Sequence, residues 1–294
     1  MQRSILILKS KAVYLDMSGT FLYFYFECPY GGETMRKRKQ RSYVIKTVDK
    51  ALDLLEEFKG DRDELGVTEL SNRLNLHKNN IFRLLATLET KGYIEQNKAT
   101  ENYRLCVKSL ELGQAFIKQI GLVRPVKPFL KEIVKECNEM AYVGIIRQNS
   151  VICLDLEESN QAVKVTNHVG LRFPMHCTAI GKVQIAYATE EELEKMGILD
   201  NMKRFTPNTI LNKVEFIKQI KEVARRGYAL DNEEYNPGVK CCAVPIRDYT
   251  GRVVGGISVP GPSYRMTEEV LKGEIIPVVK AVGEKASKRL GFGG

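Results

Sequence analysis

The chain has 294 residues, of which 44% are hydrophobic and 28% are charged, and its formal net charge is +9. This length predicts two domains, or one domain with a substantial addition, and the apolar content is sufficient for buried cores. The aromatic run Phe21–Phe26 is far shorter than the roughly 20 residues that span a bilayer, so we expect no membrane partner. Residues 36–108 contain 16 basic and 11 acidic side chains, a bias that favours binding to nucleic-acid phosphates.

The seven cysteines and three histidines show no disulfide or metal-binding pattern. The cysteine count is odd, no two cysteines are spaced as C-x-x-C, and no stretch reads as a signal peptide, which favours reduced thiols in a cytoplasmic protein. The sequence contains no G-x-G-x-x-G dinucleotide fingerprint. It contains no P-loop either, because Gly181-Lys182 is followed by Val183 and not by the serine or threonine of that motif. We therefore expect a cytoplasmic protein with no metal and no cofactor.

Residues 1–40 form the first predicted segment, an N-terminal extension with a basic arm. Residues 1–34 differ in composition from the rest, and Met35 is followed at once by the basic run Arg36–Arg41. We expect that translation begins near Met35 or that residues 1–34 are a disordered extension, with a short membrane-surface anchor as the alternative. The basic run is either an arm on DNA phosphates or in a minor groove, or a solvated run of charge.

The stretch Val67–Ile94 has the apolar spacing of two helices that share one buried face. Between the helices, Asn75–His77 has about the length of a tight turn. The predicted core positions are Leu70 and Leu74 in the first helix and Ile81, Leu84, Leu85 and Leu88 in the second. This pattern predicts a helix-turn-helix, with an ordinary amphipathic helix pair as the alternative.

The second of these helices carries donor side chains on the face opposite its leucines. Long cations and amides are the groups that reach base edges and phosphates in a major groove. A solvated polar face is the alternative interpretation. The predicted DNA contacts of this recognition helix are Lys78, Asn79, Asn80, Arg83 and Thr87.

A hairpin with a polar tip follows the recognition helix. Gly92 ends that helix, and the polar loop Gln96–Asn102 leads from one short strand into another at Tyr103–Leu105. Together with a preceding support helix, these elements predict a winged helix-turn-helix domain over residues 41–108. Lys98, at the tip, is the predicted DNA contact of the wing, which usually lies along the phosphate backbone.

Residues 109–124 form a predicted linker helix that ends at Arg124-Pro125, because the residue before a proline is disfavoured in a helix. Its apolar stripe consists of Leu112, Phe116, Ile120 and Val123. A lone helix with such a stripe either pairs with its copy in another subunit or packs onto its own chain. Both arrangements fit the sequence.

From residue 125 to residue 294, helices alternate with short strands rich in Val and Ile. Strands that lie mostly in hairpins, with helices around them, predict an α+β sensor-like domain. The predicted strands are 141–147, 151–156, 228–230, 241–246 and 253–259. The predicted helices are 128–138, 178–187, 190–196, 213–226 and 267–290.

Six blocks of this region carry a family resemblance. They are Gly170–Lys182, Thr206–Ile210, Arg226–Glu234, Gly238–Cys241, Ala243–Ile246 and Ser258–Pro262. In this order they resemble the IclR family of bacterial transcriptional regulators, and the resemblance runs from about Ser42 to the C-terminus. It implies an α+β multidomain protein without catalytic residues. A winged helix-turn-helix would bind double-stranded operator DNA, and a linker helix would lead to a GAF-like α/β effector-binding domain, assembled as a homodimer or homotetramer.

The chain departs from the family pattern at two places. The recognition helix begins with Lys78-Asn79-Asn80 where relatives usually have a Lys-Ser-Thr-like triplet, so we expect a different operator preference. The last strand has Pro260 where many relatives have a second serine, which removes one hydroxyl and one backbone donor from the implied effector pocket.

The start of the helix at Ala179 is the predicted seat of a carboxylate. Thr178 is placed to cap this helix, which would leave the backbone N–H groups of Ala179, Ile180 and Gly181 free to bind a small organic acid. Glycine at position 181 permits either close helix packing or close approach of a ligand. A simple N-cap without a ligand is the alternative.

By resemblance, the other walls of the effector site come from Asp231, Cys241 and Ser258. Asp231 would accept a hydrogen bond from an effector hydroxyl, Ser258 would donate to a carboxylate or carbonyl, and Cys241 would supply a small, soft surface. Each residue also has an ordinary structural interpretation, as a strand-end hydrogen-bond partner or as part of the core.

Two other functions would use the same cysteines. An enzyme with Cys177 or Cys241 as nucleophile and His176 as base is disfavoured, because adjacent residues on a strand point to opposite faces. A thiol-based redox or metal sensor would use Cys241-Cys242 with Cys177, although adjacent cysteines rarely pair comfortably and buried thiols are usually inert. We therefore predict an effector-controlled DNA-binding regulator and no enzyme, with the thiol sensor as the alternative.

Overall fold

The computed structural model describes residues 12–15, 21–24, 44–60 and 62–293. The chain divides into two compact units, Met1–Asp49 and Lys50–Gly294. In the first unit, strands β1 (Ala12–Leu15) and β2 (Phe21–Phe24) pair antiparallel. The predicted basic arm at 36–41 lies outside the described residues.

Three helices and a hairpin make up the predicted winged helix-turn-helix. They are α1 (Lys46–Glu57), α2 (Val67–Leu74), α3 (Lys78–Thr90), β3 (Ile94–Gln96) and β4 (Tyr103–Leu105). Helix α2 ends at Asn75, which adopts the left-handed conformation with φ of 51°. Helix α3 begins after His77, whose imidazole accepts a hydrogen bond from the backbone N–H of Asn79. These two local signals set the turn between the helices.

One apolar core holds these elements together. The predicted positions Leu70, Ile81, Leu84, Leu85 and Leu88 are all buried, and Leu74 is half-buried at the rim. Leu54 of α1 and Ile94 and Tyr103 of the hairpin belong to the same core. The predicted helix-turn-helix is thus confirmed, including the face of α3 that turns inward.

The linker helix ends earlier than predicted. Helix α4 (Val107–Ile120) stops at Gly121, which has φ of 70°, and α5 (Val123–Cys137) starts two residues later. The prediction that Arg124-Pro125 ends the linker helix is therefore wrong, because both residues lie in the first turn of α5. Proline is tolerated there, since the N–H groups of a first turn have no acceptor within the helix.

The C-terminal part of the chain contains one six-stranded antiparallel sheet in the order β7-β6-β5-β10-β9-β8. The strands are β5 (Ala141–Arg147), β6 (Ser150–Glu157), β7 (Arg172–Phe173), β8 (Ala229–Asn232), β9 (Val239–Arg247) and β10 (Val253–Pro262). The helices are α6 (Ala179–Ile185), α7 (Glu190–Lys195), α8 (Lys213–Arg226), α9 (Glu268–Val270) and α10 (Ile276–Arg289).

Helices cover both faces of this sheet. Helices α5 and α10 pack on one face, where Leu130 of α5 and Val279 of α10 share a core with Val244 of β9. Helices α6 and α8 cover the other face with side chains such as Ile180 and Phe216. The α+β fold class, a winged helix-turn-helix followed by a linker helix and a C-terminal α/β domain, is confirmed.

The predicted closing helix 267–290 is not regular. After the short α9, a π-helical turn spans Leu271–Ile275 before α10 begins. Pro277 accounts for the interruption, because it has no N–H to donate to the carbonyl of Gly273 one turn earlier. None of the helices in the described ranges is long and apolar enough to cross a membrane.

Candidate DNA-binding surface and effector site

The six predicted DNA contacts are all exposed. Five of them, Lys78, Asn79, Asn80, Arg83 and Lys98, make no side-chain hydrogen bond or ion pair within the described ranges. The hydroxyl of Thr87 donates to the carbonyl oxygen of Arg83 at 2.9 Å, one turn earlier in α3. Most donors of this surface are therefore uncommitted, as a surface that recognises another molecule requires.

Helical geometry separates the exposed side chains of α3. With 100° between successive residues, Asn79 and Arg83 lie farthest from the core positions, and Asn80 and Thr87 flank them on one side. Phe82 flanks them on the other side, and 59% of its surface is exposed. Phe82 was not among the DNA contacts predicted from the sequence, all of which are polar side chains.

The wing is fixed by a residue that the sequence analysis missed. Glu64, in the loop before α2, accepts hydrogen bonds from the amide of Asn97 at 2.7 Å and the hydroxyl of Thr100 at 2.6 Å. These bonds, chiefly the one from Thr100, lower the pKa of the Glu64 carboxyl. Two backbone hydrogen bonds of 2.9 Å between Leu65 and Tyr103 place this loop beside the wing. No sequence signal links positions more than thirty residues apart.

The predicted carboxylate seat is only partly free. Thr178 caps α6, and its hydroxyl accepts from the N–H of Gly181 at 3.2 Å and donates to the carbonyl oxygen of Pro174 at 2.6 Å. The expectation that all three N–H groups would be free is therefore wrong for Gly181. The N–H groups of Ala179 and Ile180 have no hydrogen-bond partner in the described part of the chain.

Gly181 serves close packing rather than ligand approach. A Cβ atom at this position would lie 2.3 Å from the carbonyl oxygen of Met175 and 2.6 Å from its Cα. Backbone atoms of a buried segment cannot move aside cheaply, so only glycine lets α6 approach the Met175 backbone. Of the two interpretations open from the sequence, the structure supports packing.

Asp231 belongs to a buried charged network. Its Oδ1 atom accepts from the N–H of Glu234 at 2.8 Å, and Lys182 Nζ lies 2.6 Å from Glu234 Oε2 and 3.2 Å from the carbonyl oxygen of Leu230. Lys182, Glu234 and Asp231 are all buried. Burial raises the pKa of Asp231 to about 7, against the opposing effects of the Glu234 N–H and the Lys182 charge.

Ser258 is one of the fully buried residues among the predicted effector contacts. It is fully buried on β10, where it lies opposite Tyr142 of β5 and Ala243 of β9. Its Oγ atom has no partner of hydrogen-bonding geometry among the described residues. Burial raises the pKa of Tyr142 well above its ordinary value, and the nearby Ser258 hydroxyl opposes this effect.

Cross-strand pairing brings the other predicted contacts to the same place. Cys241 lies opposite Asp231 of β8 on one side and Pro260 of β10 on the other. Strand β5 pairs with β10 only as far as Ser258, so Pro260 lies where that side of β10 is unpaired. Asp231, Cys241 and Ser258 are thus gathered at one end of three adjacent strands.

The cysteines have the character of core residues. Burial raises the pKa of Cys242 to about 12 and raises the pKa values of Cys177 and Cys241 well above the ordinary thiol value. Thiols with such pKa values have little thiolate at neutral pH, and the thiolate is the reactive form. The imidazole of His176 is bonded to the carbonyl oxygen of Lys203 at 2.9 Å. These observations support neither a cysteine-dependent enzyme nor a thiol-based sensor.

Two clefts open on the C-terminal part of the chain. The smaller, about 170 Å³, is lined by Pro174, Met175 and His176, just before the Thr178 cap, and by Phe205 opposite. The larger, about 280 Å³, lies between the end of α8 and α10. Asp231, Cys241 and Ser258 line neither cleft. Asp231 and Ser258 are buried, and Cys241 is half-buried.

Two family models match the chain, one over the winged helix-turn-helix part and one over the C-terminal part. Residues 47–98 match the IclR helix-turn-helix domain, and residues 114–288 match the C-terminal domain of IclR bacterial transcriptional regulators. The chain belongs to the IclR family. The family resemblance read from the sequence is confirmed.

Individual relatives cover most of the chain. It is 30% identical to the HTH-type transcriptional regulator KdgR of Escherichia coli over 248 residues, which are 84% of this chain and 94% of KdgR. The crystal structure of Thermotoga maritima IclR is 27% identical, has a TM-score of 0.72 and covers 85% of this chain and 100% of its own. These relatives are regulators and not enzymes, so this IclR-family protein is a DNA-binding transcriptional regulator.

A third relative shares the fold at lower identity. The crystal structure of an IclR homolog from Microbacterium hydrocarbonoxydans, complexed with 4-hydroxybenzoate, is 19% identical. Its TM-score is 0.73, and the match covers 83% of this chain and 98% of the homolog.

Proposed function

We propose that this IclR-family regulator binds a specific operator and that a small organic acid, held in the C-terminal domain, controls this binding. The observation that carries the proposal is the fully buried hydroxyl of Ser258, which makes no hydrogen bond of regular geometry among the described residues, although it lies close enough to Tyr142 to affect the pKa of that phenol. A buried polar group without a hydrogen bond costs about 1–3 kcal/mol, and a ligand atom that pairs with it removes this cost.

Three further groups near the same end of the sheet suit an acid. The N–H groups of Ala179 and Ile180, which have no partner among the described residues, can donate to a carboxylate. With a pKa of about 7, Asp231 can donate a hydrogen bond when protonated and accept one when ionised. The homolog complexed with 4-hydroxybenzoate supports the idea that a protein of this fold can bind an organic acid. Cys241 supplies a small wall between Asp231 and Pro260.

For DNA binding, α3 is the proposed recognition helix. Asn79 and Asn80 are suited to adenine, Arg83 is suited to guanine, and Lys78 and Thr87 contact phosphates or base edges. Lys98 at the tip of the wing would contact the backbone. The proposed domains are the DNA-binding domain over residues 41–108, a linker helix that follows it and ends at Ile120, and the effector domain from there to residue 294.

The linker helix provides a route for coupling and assembly. Leu112 and Phe116 of α4 lie one turn apart on one face and are exposed, and no residue of this helix is buried. An exposed apolar stripe favours a subunit contact, so we propose a homodimer or homotetramer in the cytoplasm. An effector that prefers one arrangement of the subunits would then change the spacing of the two recognition helices relative to the half-sites.

A thermal-shift screen of the full chain tests the effector. The probes are keto acids, hydroxy acids, sugar acids and aromatic acids, including 4-hydroxybenzoate. An acid that binds the folded state raises the melting temperature in a concentration-dependent manner. The shift should disappear in Ser258→Ala and persist in Ser263→Ala, a control just beyond the end of β10.

The proposal fails if none of the four acid classes shifts the melting temperature. It also fails if an acid stabilises the wild-type protein and Ser258→Ala equally, because the enclosed hydroxyl would then have no part in binding.

A further inference from the structure

Phe82 is an exposed aromatic residue in the middle of the proposed recognition helix α3. It lies on the solvent side of α3, one turn after Lys78 and one turn before Ala86. Its ring makes no contact with another aromatic ring or with a cation among the described residues, and it is not part of the apolar core of this domain. An apolar ring in water gains nothing for folding, so its surface is available to a partner.

The surroundings of Phe82 indicate what that partner is. Asn79 and Arg83, beside Phe82, have donor groups free of any partner in the described ranges, and Lys78 adds a second uncompensated cation. An apolar protein surface would leave these groups buried and unpaired, at a cost in free energy. The edge of a DNA major groove meets both needs, since it offers acceptors for the donors and the thymine methyl group for the ring.

We propose that Phe82 reads a thymine by packing against its 5-methyl group, as a specificity-determining residue of the operator contact. This inference rests on the proposed role of α3 in the major groove.

The spacing along the helix places this contact. Asn79 and Arg83 are about 6 Å apart along the axis, since each residue rises about 1.5 Å. Successive bases of one strand are about 3.4 Å apart, so the two side chains reach bases about two steps from each other. Phe82 lies between Asn79 and Arg83 along the helix, and its thymine lies within one base step of the pairs that they read.

The test uses DNA selected from a random duplex library by the full chain. Each thymine of the enriched site is then replaced, one at a time, by deoxyuridine, which lacks only the 5-methyl group. At one thymine per half-site, the replacement should weaken wild-type binding about 3- to 10-fold. For Phe82→Ala, binding should fall by a similar factor on thymine DNA and should no longer respond to deoxyuridine at that position.

Two control variants test whether the effect is specific to the apolar side chain at position 82. Phe82→Leu keeps an apolar side chain of similar reach and should retain part of the methyl dependence. Val214→Ala removes an exposed apolar side chain from α8 and should leave both affinity and methyl dependence unchanged. Circular dichroism and melting temperature of each variant show whether the fold is intact.

The outcomes are distinct. If Phe82→Ala is folded and responds to deoxyuridine as the wild type does at every thymine, Phe82 does not contact a thymine methyl group and the proposal is wrong. If Phe82→Ala changes the oligomeric state in light scattering and not the methyl dependence, the ring is a subunit contact instead. If the chain enriches no sequence at all, the proposed operator binding itself fails and Phe82 has no thymine to read.

Discussion

Single residues in the C-terminal domain are constrained by packing as well as by ligand chemistry. Gly181 and Asp231 lie near the same helix start and would both be assigned to a ligand from the sequence alone. The structure separates them, because Gly181 is pressed against the backbone of Met175 whereas Asp231 presents a buried, titratable carboxyl.

Gly181→Ala should destabilise the protein strongly. The new Cβ would lie 2.3 Å from the carbonyl oxygen of Met175, and overpacking of this kind costs about 1–3 kcal/mol or more. Gly113→Ala is the matched control, because nothing lies within 4 Å of its Cβ position in α4 and alanine favours a helix. Melting temperatures should fall for the first variant and rise slightly for the second. Equal melting temperatures would show that the Met175 contact is not constraining.

Asp231 should make stability depend on pH. Its pKa is about 7 in the folded protein and near 3.8 in the unfolded chain, so between these values the unfolded chain releases a proton that the folded protein keeps. Stability therefore falls as pH rises from about 4 to about 7, by up to about 1.4 kcal/mol for each pH unit. Asp231→Asn has no proton to release, and its stability should fall less between pH 5 and pH 7.

Urea unfolding of both proteins at pH 5, 6, 7 and 8 measures this difference. Above about pH 7 the two curves should run parallel, since the carboxyl is ionised in both states there. Curves that are parallel over the whole range would contradict the raised pKa of Asp231.

At the scale of elements, the wing depends on a contact from outside the hairpin. A two-stranded hairpin of three-residue strands is marginal by itself, and Glu64 fixes its tip through Asn97 and Thr100. The position of Lys98 at the tip therefore depends on both the hairpin and the loop before α2.

Glu64→Ala should weaken operator binding by about 1 kcal/mol, because the freed wing tip pays an ordering cost on binding. This fall would occur although the variant is more positive by one charge, which by itself favours DNA. Glu111→Ala, in α4, makes the same change of charge and should bind equally well or slightly better. Fluorescence anisotropy with the selected operator compares them, and equal gains in both variants would show that Glu64 does not position the wing.

Local sequence signals predicted most elements well. Helix α8 was predicted with its observed bounds, because Asn212 caps its start and Gly227 ends it in the left-handed conformation. The end of the linker helix was missed because a proline in the first turn of α5 is compatible with a helix, so Arg124-Pro125 was not the stop that it resembled.

The candidate site was less accessible from the sequence. The Lys182–Glu234 ion pair joins residues 52 positions apart, and Glu64 contacts the wing across more than thirty residues. Such pairs depend on tertiary packing, for which one sequence carries no local signal. The family resemblance did supply Asp231, Cys241 and Ser258. The strand register pairs Asp231 with Cys241 and places Ser258 on the next strand, opposite Ala243, two residues from Cys241.

At the scale of the whole molecule, DNA recognition and effector recognition use separate sets of side chains. The proposed DNA contacts lie on α3 and the wing, and the proposed effector contacts lie at α6, β8, β9 and β10. Substitutions at distant sites that share no partner have additive effects on stability and binding. A regulator therefore differs from two unrelated binding modules only by the coupling between these sites.

Two substitutions should separate binding from coupling. Arg83→Ala should weaken operator binding by about 1–3 kcal/mol if the guanidinium reads a base, and it should keep the thermal shift with the identified acid. Arg225→Ala removes an exposed arginine from α8 and controls for the loss of charge. Ser258→Ala should bind the operator as the wild type does but should lose most of the change in operator affinity on adding the acid.

Fluorescence anisotropy with and without the acid measures both affinities for all three variants. If Ser258→Ala loses operator affinity in the absence of acid, Ser258 is a structural residue and the effector proposal loses its main support. If Arg83→Ala binds the operator with unchanged affinity and footprint, Arg83 is not a base contact. The expected pattern is that Arg83→Ala and Ser258→Ala each lose one function and keep the other, and that Arg225→Ala keeps both. This pattern requires that effector binding acts on DNA affinity through a change between two states of the protein.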